Sequence, residues 1–193
     1  MILAGIMVSG ISNSSLNARQ TSREIIKNRL QQARAHAIAT RKLTALIIPV
    51  RDSRWKAGLH AISLIEVEQV NGEFVATKDE NGDAVMSQRW TTLPQKFHFV
   101  TNSMCRSDLP TVVDYEKTLT ISQRGQEMEC HMIVFAPNGQ INYPLPGAPI
   151  HIAIAQIARH GNTFRISQIS NHEPVFDLLV VNRLTARTRS ITP

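Results

Sequence analysis

The sequence predicts an α+β fold, in which a long N-terminal amphipathic helix packs on an antiparallel β domain of two sheets arranged like a sandwich. The first observation is a stretch from residue 16 to residue 42 that has no glycine or proline and is rich in helix-forming residues. The second is the sequence after residue 42, where short alternating or β-branched runs are separated by turn signals. One helix followed by many short strands is typical of a helix lying on an antiparallel sheet.

Four apolar residues of the predicted helix recur at helical spacing: Ile26, Leu30, Ala33 and Ala37. This spacing places them on one face of the helix, while Arg and Gln occupy the opposite face. We expect the four to pack on the β domain or to serve in assembly. The run Ser-Asn-Ser-Ser at 12–15 offers N-cap side chains.

The chain divides at residue 42 into a helical part and a globular part. Residues 1–42 form the N-terminal helix, with an apolar stub at 1–11 and an amphipathic part at 12–42, and residues 43–193 form the antiparallel β domain. The stub is shorter than the about 20 residues that span a bilayer, and it lacks the basic start of a secretory signal. We interpret it as the end of a longer apolar segment.

The β domain is expected to hold about eight to ten short strands. Three Asn-Gly dipeptides mark turns, because both residue types accept the positive φ of a tight hairpin. They are Asn71-Gly72, Asn81-Gly82 and Asn138-Gly139.

The net charge of +6 is unevenly distributed. Residues 1–42 carry seven basic residues and one acidic residue, residues 43–182 carry 11 basic and 14 acidic residues, and residues 183–193 carry three basic residues and no acid. The protein is thus a mildly acidic body with two basic ends. Such ends bind membrane surfaces, nucleic acid or acidic partners, or they are solvated.

No residue pattern indicates catalysis. The seven histidines are scattered without an HExxH pair, and neither a GxSxG elbow nor a phosphate-binding glycine loop occurs. We therefore predict a non-enzymatic protein without a cofactor. The two cysteines, Cys105 and Cys130, allow either one disulfide or two free thiols.

Two further groups are candidate sites. Asp79, Asn81 and Asp83 place oxygen ligands at alternate positions, a weak calcium signal, but the Asn-Gly turn explains them better. Near the C-terminus, extended chain would project the basic side chains of residues 187 and 189 to the same side, about 7 Å apart. That spacing suits two phosphates of nucleic acid or an acidic partner, and the alternative is a solvated strand. The candidate contact residues are Arg183, Arg187 and Arg189.

Several segments, in the same order along the chain, resemble elements of type IV pilin-like proteins, in particular H-type minor pseudopilins and FimT-like minor pilins. The resemblance covers nearly the whole chain, although each element is short. The segments are Ile2–Val8, Gln32–Ile38, Leu93-Pro94 before Phe97 and Phe99, Phe135–Gly139, and Val180–Arg189.

The resemblance implies a subunit of a type IV pilus or of a type II secretion pseudopilus. Such a subunit is anchored in the inner membrane through its N-terminal helix, lies in the membrane and periplasm or at the cell surface in a filament, and has other pilin subunits as partners. Some FimT-like members take up DNA through a basic C-terminal motif. Residues 185–189 match its place, with Ala186 where glycine is usual.

This sequence departs from the family in three ways. It lacks the prepilin-peptidase site with the first half of the apolar helix, the helix-kinking proline, and the glycine at position 186. The leading hypothesis is a minor pilin or pseudopilin. The alternatives are a DNA-binding minor pilin that uses the basic tail and a surface adhesin domain with an exposed aromatic patch, for which Trp55, Trp90 and Tyr143 are candidates.

Overall fold

The computed structural model describes residues 3–50, 59–94, 96–106, 108–144, 149–160, 163–167, 169–170 and 173–191. Within these residues, side chains are described except at 3–15, 159–160, 163–164, 169 and 173. Two helices precede or interrupt the strands, namely α1 (Leu3–Thr40) and α2 (Asn102–Cys105), and a 3-10 turn spans Val112–Asp114. The strands are β1 (Leu43–Pro49), β2 (Ala61–Val70), β3 (Glu73–Ala76), β4 (Met86–Thr92), β5 (Phe97–Phe99), β6 (Thr118–Gln123), β7 (Gln126–Phe135), β8 (Ile141–Tyr143), β9 (Ile150–His160), β10 (Thr163–Ile166), β11 (Ile169–Ser170), β12 (Glu173–Pro174), β13 (Asp177–Val181) and β14 (Thr188–Ile191).

The predicted α+β sandwich is wrong. The chain is mostly β, with one long helix at its N-terminus and antiparallel sheets, one of which is nearly barrel-shaped. Strands that sequence patterns did not indicate account for part of the difference. The clearest case is β4, whose sequence Met-Ser-Gln-Arg-Trp-Thr-Thr is polar and half-exposed on both faces, so it shows no alternation.

Helix α1 runs without a break from Leu3 to Thr40 and is therefore roughly 57 Å long. Residues 12–15 offer N-cap side chains but lie inside the helix and do not start it. Ser and Asn cost only a few tenths of a kcal/mol each in a helix interior, so they do not end one. At the other end, Arg41 takes the left-handed conformation with φ 57° and turns the chain into β1.

The larger sheet has seven strands in the order β3-β2-β1-β7-β6, with β4 also paired to β2 and β8 to β7. It curls until β3 lies beside β6. The closing contacts include an ion pair of 2.8 Å between Lys117 and Glu73 and a backbone hydrogen bond of 2.8 Å from Ala84 to Ser122. We call this sheet the barrel sheet.

The Asn71-Gly72 turn is the predicted two-residue hairpin. Both residues have positive φ, 52° and 85°, and the flanking residues Val70 and Glu73 pair directly. A second hairpin of the same kind, Arg124-Gly125, joins β6 to β7 with φ values of 52° and 71°. It carries Arg where Asn is favoured, which is why the sequence did not indicate it.

The second sheet has five strands in the order β10-β9-β13-β14, with β5 also paired to β9. We call it the C-terminal sheet. Its long central strand alternates between two apolar layers: Ile150, Ile152 and Ile154 face one core, while Ala153 and Ala155 face another. Strands β11 and β12 form a separate two-stranded ribbon.

Three apolar clusters stabilise these layers. The first lies between α1, the outer face of the barrel sheet and the near face of the C-terminal sheet. The second fills the inside of the barrel sheet, and the third covers the far face of the C-terminal sheet. Strand β1 shows why a sandwich does not describe the fold: Leu46 and Ile48 pack toward the helix, while Ala45 and Ile47 point into the barrel, so both faces of the strand are buried.

Candidate functional site

The buried face of α1 holds the helix on the β strands. Ile26, Leu30, Ala33 and Ala37 are fully buried in the first cluster, and Ser22 extends the same face by one turn. The Ser22 hydroxyl donates a hydrogen bond of 2.8 Å to the Ala18 carbonyl, which satisfies it inside the helix. Because these side chains are covered within the chain, contact with another subunit requires a different helix face.

A buried carboxylate fixes the N-terminal part of the described helix to the C-terminal sheet. Asp177, at the start of β13, is 1% exposed. Arg19 donates to both of its oxygens, each at 2.7 Å, and Arg23 donates to Oδ1 as well. Sequence reasoning missed this cluster. The available signal was the acid in the otherwise apolar run Phe176–Val181, which needs a cationic partner when buried.

The charges around Asp177 set its protonation state. Burial raises the pKa of Asp177, but the hydrogen bonds and charges of Arg19 and Arg23 outweigh burial, so the pKa lies below its ordinary value. The same hydrogen bond raises the pKa of Arg19 despite its partial burial. The cluster is therefore ionised at neutral pH, and it joins helix to sheet through charge-assisted hydrogen bonds.

The other described arginines of α1 also turn toward the chain's own β strands. Arg29 donates to the Thr91 hydroxyl of β4, and Arg34 donates to the Gly139 carbonyl at 3.2 Å. The expectation that Arg occupies the face opposite the apolar stripe is therefore wrong for these side chains. They lie on the flanks of the helix, half-buried, where their stems cover apolar surface.

The exposed face of α1 is nearly free of charge. Among the α1 side chains that the structure describes, the only charged member of this face is Glu24, which pairs with Lys27 at 2.8 Å. We call this face the polar ridge. Its members, all exposed, are Asn17, Gln20, Thr21, Glu24, Asn28, Gln31, Gln32, Ala35, Ile38 and Ala39.

The candidate contact residues near the C-terminus lie around a tight loop between β13 and β14. Asn182 organises this loop, since its side-chain oxygen accepts hydrogen bonds from the backbone of Leu184 and Thr185, each at 3.0 Å. Ala186 has φ 54°, the left-handed conformation in which glycine is more common. The Gln31 side chain donates to the Ala186 carbonyl at 2.8 Å, so the polar ridge and the loop are connected.

The three arginines line an open groove of about 720 Å³ together with Pro149, Leu184 and the adjoining ends of β13 and β14. They differ in their surroundings. Arg183 is half-buried and donates to the Pro144 carbonyl, whereas Arg187 and Arg189 are exposed. The structure thus brings the three together along one groove but gives only two of them a free approach from solvent.

The weak calcium candidate is built as a turn. Asp79 Oδ1 accepts backbone hydrogen bonds from Asn81 at 2.9 Å and from Asp83 at 3.0 Å. Asp83 Oδ2 accepts one from the backbone of Arg124 at 2.9 Å. Within the part of the chain that the structure describes, no three His, Cys, Asp or Glu side chains converge in a way that could hold a metal ion.

The Cys105–Cys130 disulfide that the sequence allowed is not formed, because the two thiols lie in different cores. Cys105 belongs to the third cluster and Cys130 to the interior of the barrel sheet. Burial, helped by the charge of Asp114, raises the pKa of Cys105 to about 12. Burial also raises the pKa of Cys130, with Glu129 adding to it.

Two of the aromatic candidates for an adhesin patch are engaged inside the fold. Tyr143 is buried and its ring packs at an angle against the rings of Phe74 and Tyr115, and the half-buried Trp90 donates to the Gln123 side chain at 2.9 Å. Trp55 lies outside the described residues, as do the side chains of the apolar stub at 1–11. No helix in the described part of the chain combines the length and the apolar character that crossing a bilayer requires.

No protein-family model matches the sequence, and no curated protein and no solved structure is significantly similar to it.

Proposed function

We propose that this protein is a non-enzymatic filament subunit, a minor pilin or pseudopilin of a type IV pilus or type II secretion pseudopilus, whose polar ridge contacts the helices of neighbouring subunits. The observation that carries the proposal is that different faces of α1 have different surroundings. One face and both flanks are fastened to the chain's own strands, and the remaining face is exposed and almost uncharged.

The anchoring supports a role in which the helix is held rigidly. Residues from Arg19 to Ala37 combine a fully buried stripe with the Asp177 cluster, so the helix cannot rotate about its axis without exposing apolar side chains. A fixed helix presents the same face in every subunit. Constant presentation is what a repeating filament contact requires.

The composition of the ridge supports a contact with other helices. Burying an unpaired charge costs several kcal/mol, and the one charged residue of the ridge, Glu24, is paired with Lys27. Small residues such as Ala35 and Ala39 let helix backbones approach closely, and Asn and Gln side chains can donate and accept across an interface. In the proposed subunit, the segment before residue 12 continues toward the inner membrane and the β domain faces outward.

A photo-crosslinking amino acid at Asn28, in the middle of the ridge, tests the proposal in cells that produce the protein. We expect crosslinks to other subunits of the same assembly. The matched control is the same group at Val75, which is 42% exposed on β3, at one end of the strand order of the barrel sheet. Equal crosslinking at both positions, or crosslinking at Val75 alone, contradicts the proposal.

A charge on the ridge gives a second test. Ala35→Arg should lower the assembled fraction, while the free energy of unfolding stays within about 0.5 kcal/mol because the site is exposed. Val75→Arg, with the same added charge on the β domain, should leave assembly unchanged.

A further inference from the structure

Among the described strands, β14 is the last of the C-terminal sheet and forms one of its edges. It pairs with β13, in the register Leu178–Ile191 to Val181–Thr188, and no other described strand pairs with it. An open edge presents unpaired backbone N–H and C=O groups at strand spacing. Ile191 is 38% exposed, and Arg189 and Ser190 are exposed as well.

The basic groove shares Arg187, Thr188 and Arg189 with the beginning of this strand. The groove is lined by the end of β13, the loop at 182–185, Pro149 and the beginning of β14. Leu184 is 59% exposed at its rim and supplies apolar area. No carboxylate of a described residue forms an ion pair with Arg187 or Arg189, and the chain has no acidic residue after Asp177.

The positive charge of Arg187 and Arg189 decides which kind of partner can bind along β14. A second copy of β14 would place arginine against arginine, and like charges opposite each other destabilise a strand pair. Single-stranded nucleic acid binds through stacking on aromatic side chains, and the groove lining contains none. An extended polypeptide with carboxylates at alternate positions satisfies the backbone edge and both arginines together.

The surface is already organised for such an occupant. The loop is fixed by the Asn182 hydrogen bonds, by the 2.8 Å backbone bond from Asn182 to the Arg187 carbonyl, and by Gln31 from the helix. A rigid site loses less conformational freedom on binding.

We propose that the β14 edge binds an extended acidic polypeptide segment by strand addition, with Arg187 and Arg189 pairing with its alternate carboxylates. The inference goes beyond membership of a filament and does not depend on the polar ridge.

The test uses the full chain and a fluorescein-labelled peptide of eight residues in which Glu alternates with Val or Thr, followed by fluorescence anisotropy. Arg187→Gln combined with Arg189→Gln should weaken binding at least about tenfold, since hydrogen bonds to charged groups are involved. Arg165→Gln is the matched control, because Arg165 is also exposed but lies on β10, at the opposite edge of the same sheet. Equal loss in the control variant overturns the proposal.

Peptide N-methylation tests the strand geometry without changing the protein. In strand addition only alternate peptide N–H groups face β14. Methylating one alternate set should therefore abolish binding, and methylating the other should leave it nearly intact. If methylation of neither set of peptide N–H groups changes binding, the proposed strand addition is overturned. A 12-nucleotide single-stranded DNA that binds more tightly than the peptide at the same salt concentration assigns the groove to nucleic acid and overturns the proposal.

Discussion

At the scale of single residues, a few positions have positive φ, a strained backbone conformation for their residue type. Arg124 and Ala186 both adopt positive φ without being glycine or asparagine. For an L-residue this conformation costs roughly 1–2 kcal/mol. Ala186 also buries its methyl group completely, so its packing offsets part of the backbone strain. The side chain of Arg124 is exposed and contributes no such packing.

Replacing Arg124 by Asn should therefore stabilise the protein. Asn-Gly is the preferred pair for this hairpin, and Arg124→Asn keeps the backbone hydrogen bond to Asp83. We expect the free energy of unfolding to rise by about 0.5–1 kcal/mol in urea titrations. The reverse change in the sister hairpin, Asn71→Arg, should lower it by a similar amount. A destabilising Arg124→Asn would show that the arginine side chain matters more than its backbone strain.

The thiols provide a second prediction at this scale. Because Cys105 and Cys130 are buried and their pKa values are raised, neither is a thiolate at neutral pH. A thiol reagent at about pH 8 should react with both only after unfolding in denaturant. Rapid labelling of the native protein, or fewer than two thiols in the unfolded protein without a reductant, would contradict the two-core placement.

At the scale of elements, the contact between α1 and the β7–β8 turn shows how close the helix lies to the barrel sheet. A Cβ at Gly139 would sit 2.7 Å from Ile38 Cδ1 and 3.0 Å from Arg34 Nε. A Cβ at Gly72, which has a similar positive φ, would meet nothing within 4 Å. The two glycines follow Asn and have similar positive φ, 85° and 79°, but only Gly139 lies against the helix.

This pair predicts a measurable difference between two alanine variants. Gly72→Ala should cost roughly 1–2 kcal/mol from positive φ alone. Gly139→Ala should cost about 1 kcal/mol more, because Ile38 and Arg34 must move. Chemical denaturation of both variants measures the difference.

Truncating the side chain that would clash with the new methyl group supplies the control. In the Ile38→Ala background, the additional destabilisation by Gly139→Ala relative to Gly72→Ala should become smaller. If both alanine variants lost the same free energy of unfolding, the helix side chains near Gly139 would move aside without a measurable cost.

At the scale of the whole molecule, the Asp177 cluster connects the N-terminal helix to the C-terminal end of the fold. Arg19 and Asp177 are separated by 158 positions in sequence and by 2.7 Å in space. Because the pKa of Asp177 is lower in the folded protein than its ordinary value of 3.8, the ionised group stabilises the fold. That contribution is complete above the unfolded-state pKa and is lost as the pH falls through the folded-state pKa.

Asp177→Asn should therefore destabilise the protein by roughly 3 kcal/mol at about pH 7, since it leaves two arginines without their anion. The difference in the free energy of unfolding between the variant and the wild type should become progressively smaller below about pH 4. Glu73→Gln, which removes an exposed ion pair with Lys117, should change stability by less than about 1 kcal/mol throughout. A gap for Asp177→Asn that is constant with pH would show that its charge is not what stabilises the helix.

The sequence by itself determined the features that depend on neighbours along the chain. The spacing of Ile26, Leu30, Ala33 and Ala37 specifies a helix face, and Asn71-Gly72 specifies a hairpin, because helical periodicity and turn propensity are local properties. The basic tail and the absence of familiar catalytic motifs are likewise visible in the sequence.

Only the tertiary structure decided what the distant parts of the chain do to one another. The curl of the barrel sheet, the burial of β1 on both faces and the separation of the two cysteines arise from contacts between residues far apart in sequence. The same holds for the arginines of α1, which local patterning places on a solvated face. A buried carboxylate, a hydroxyl and a carbonyl elsewhere in the chain bind these arginines, and this leaves the polar ridge free of unpaired charge.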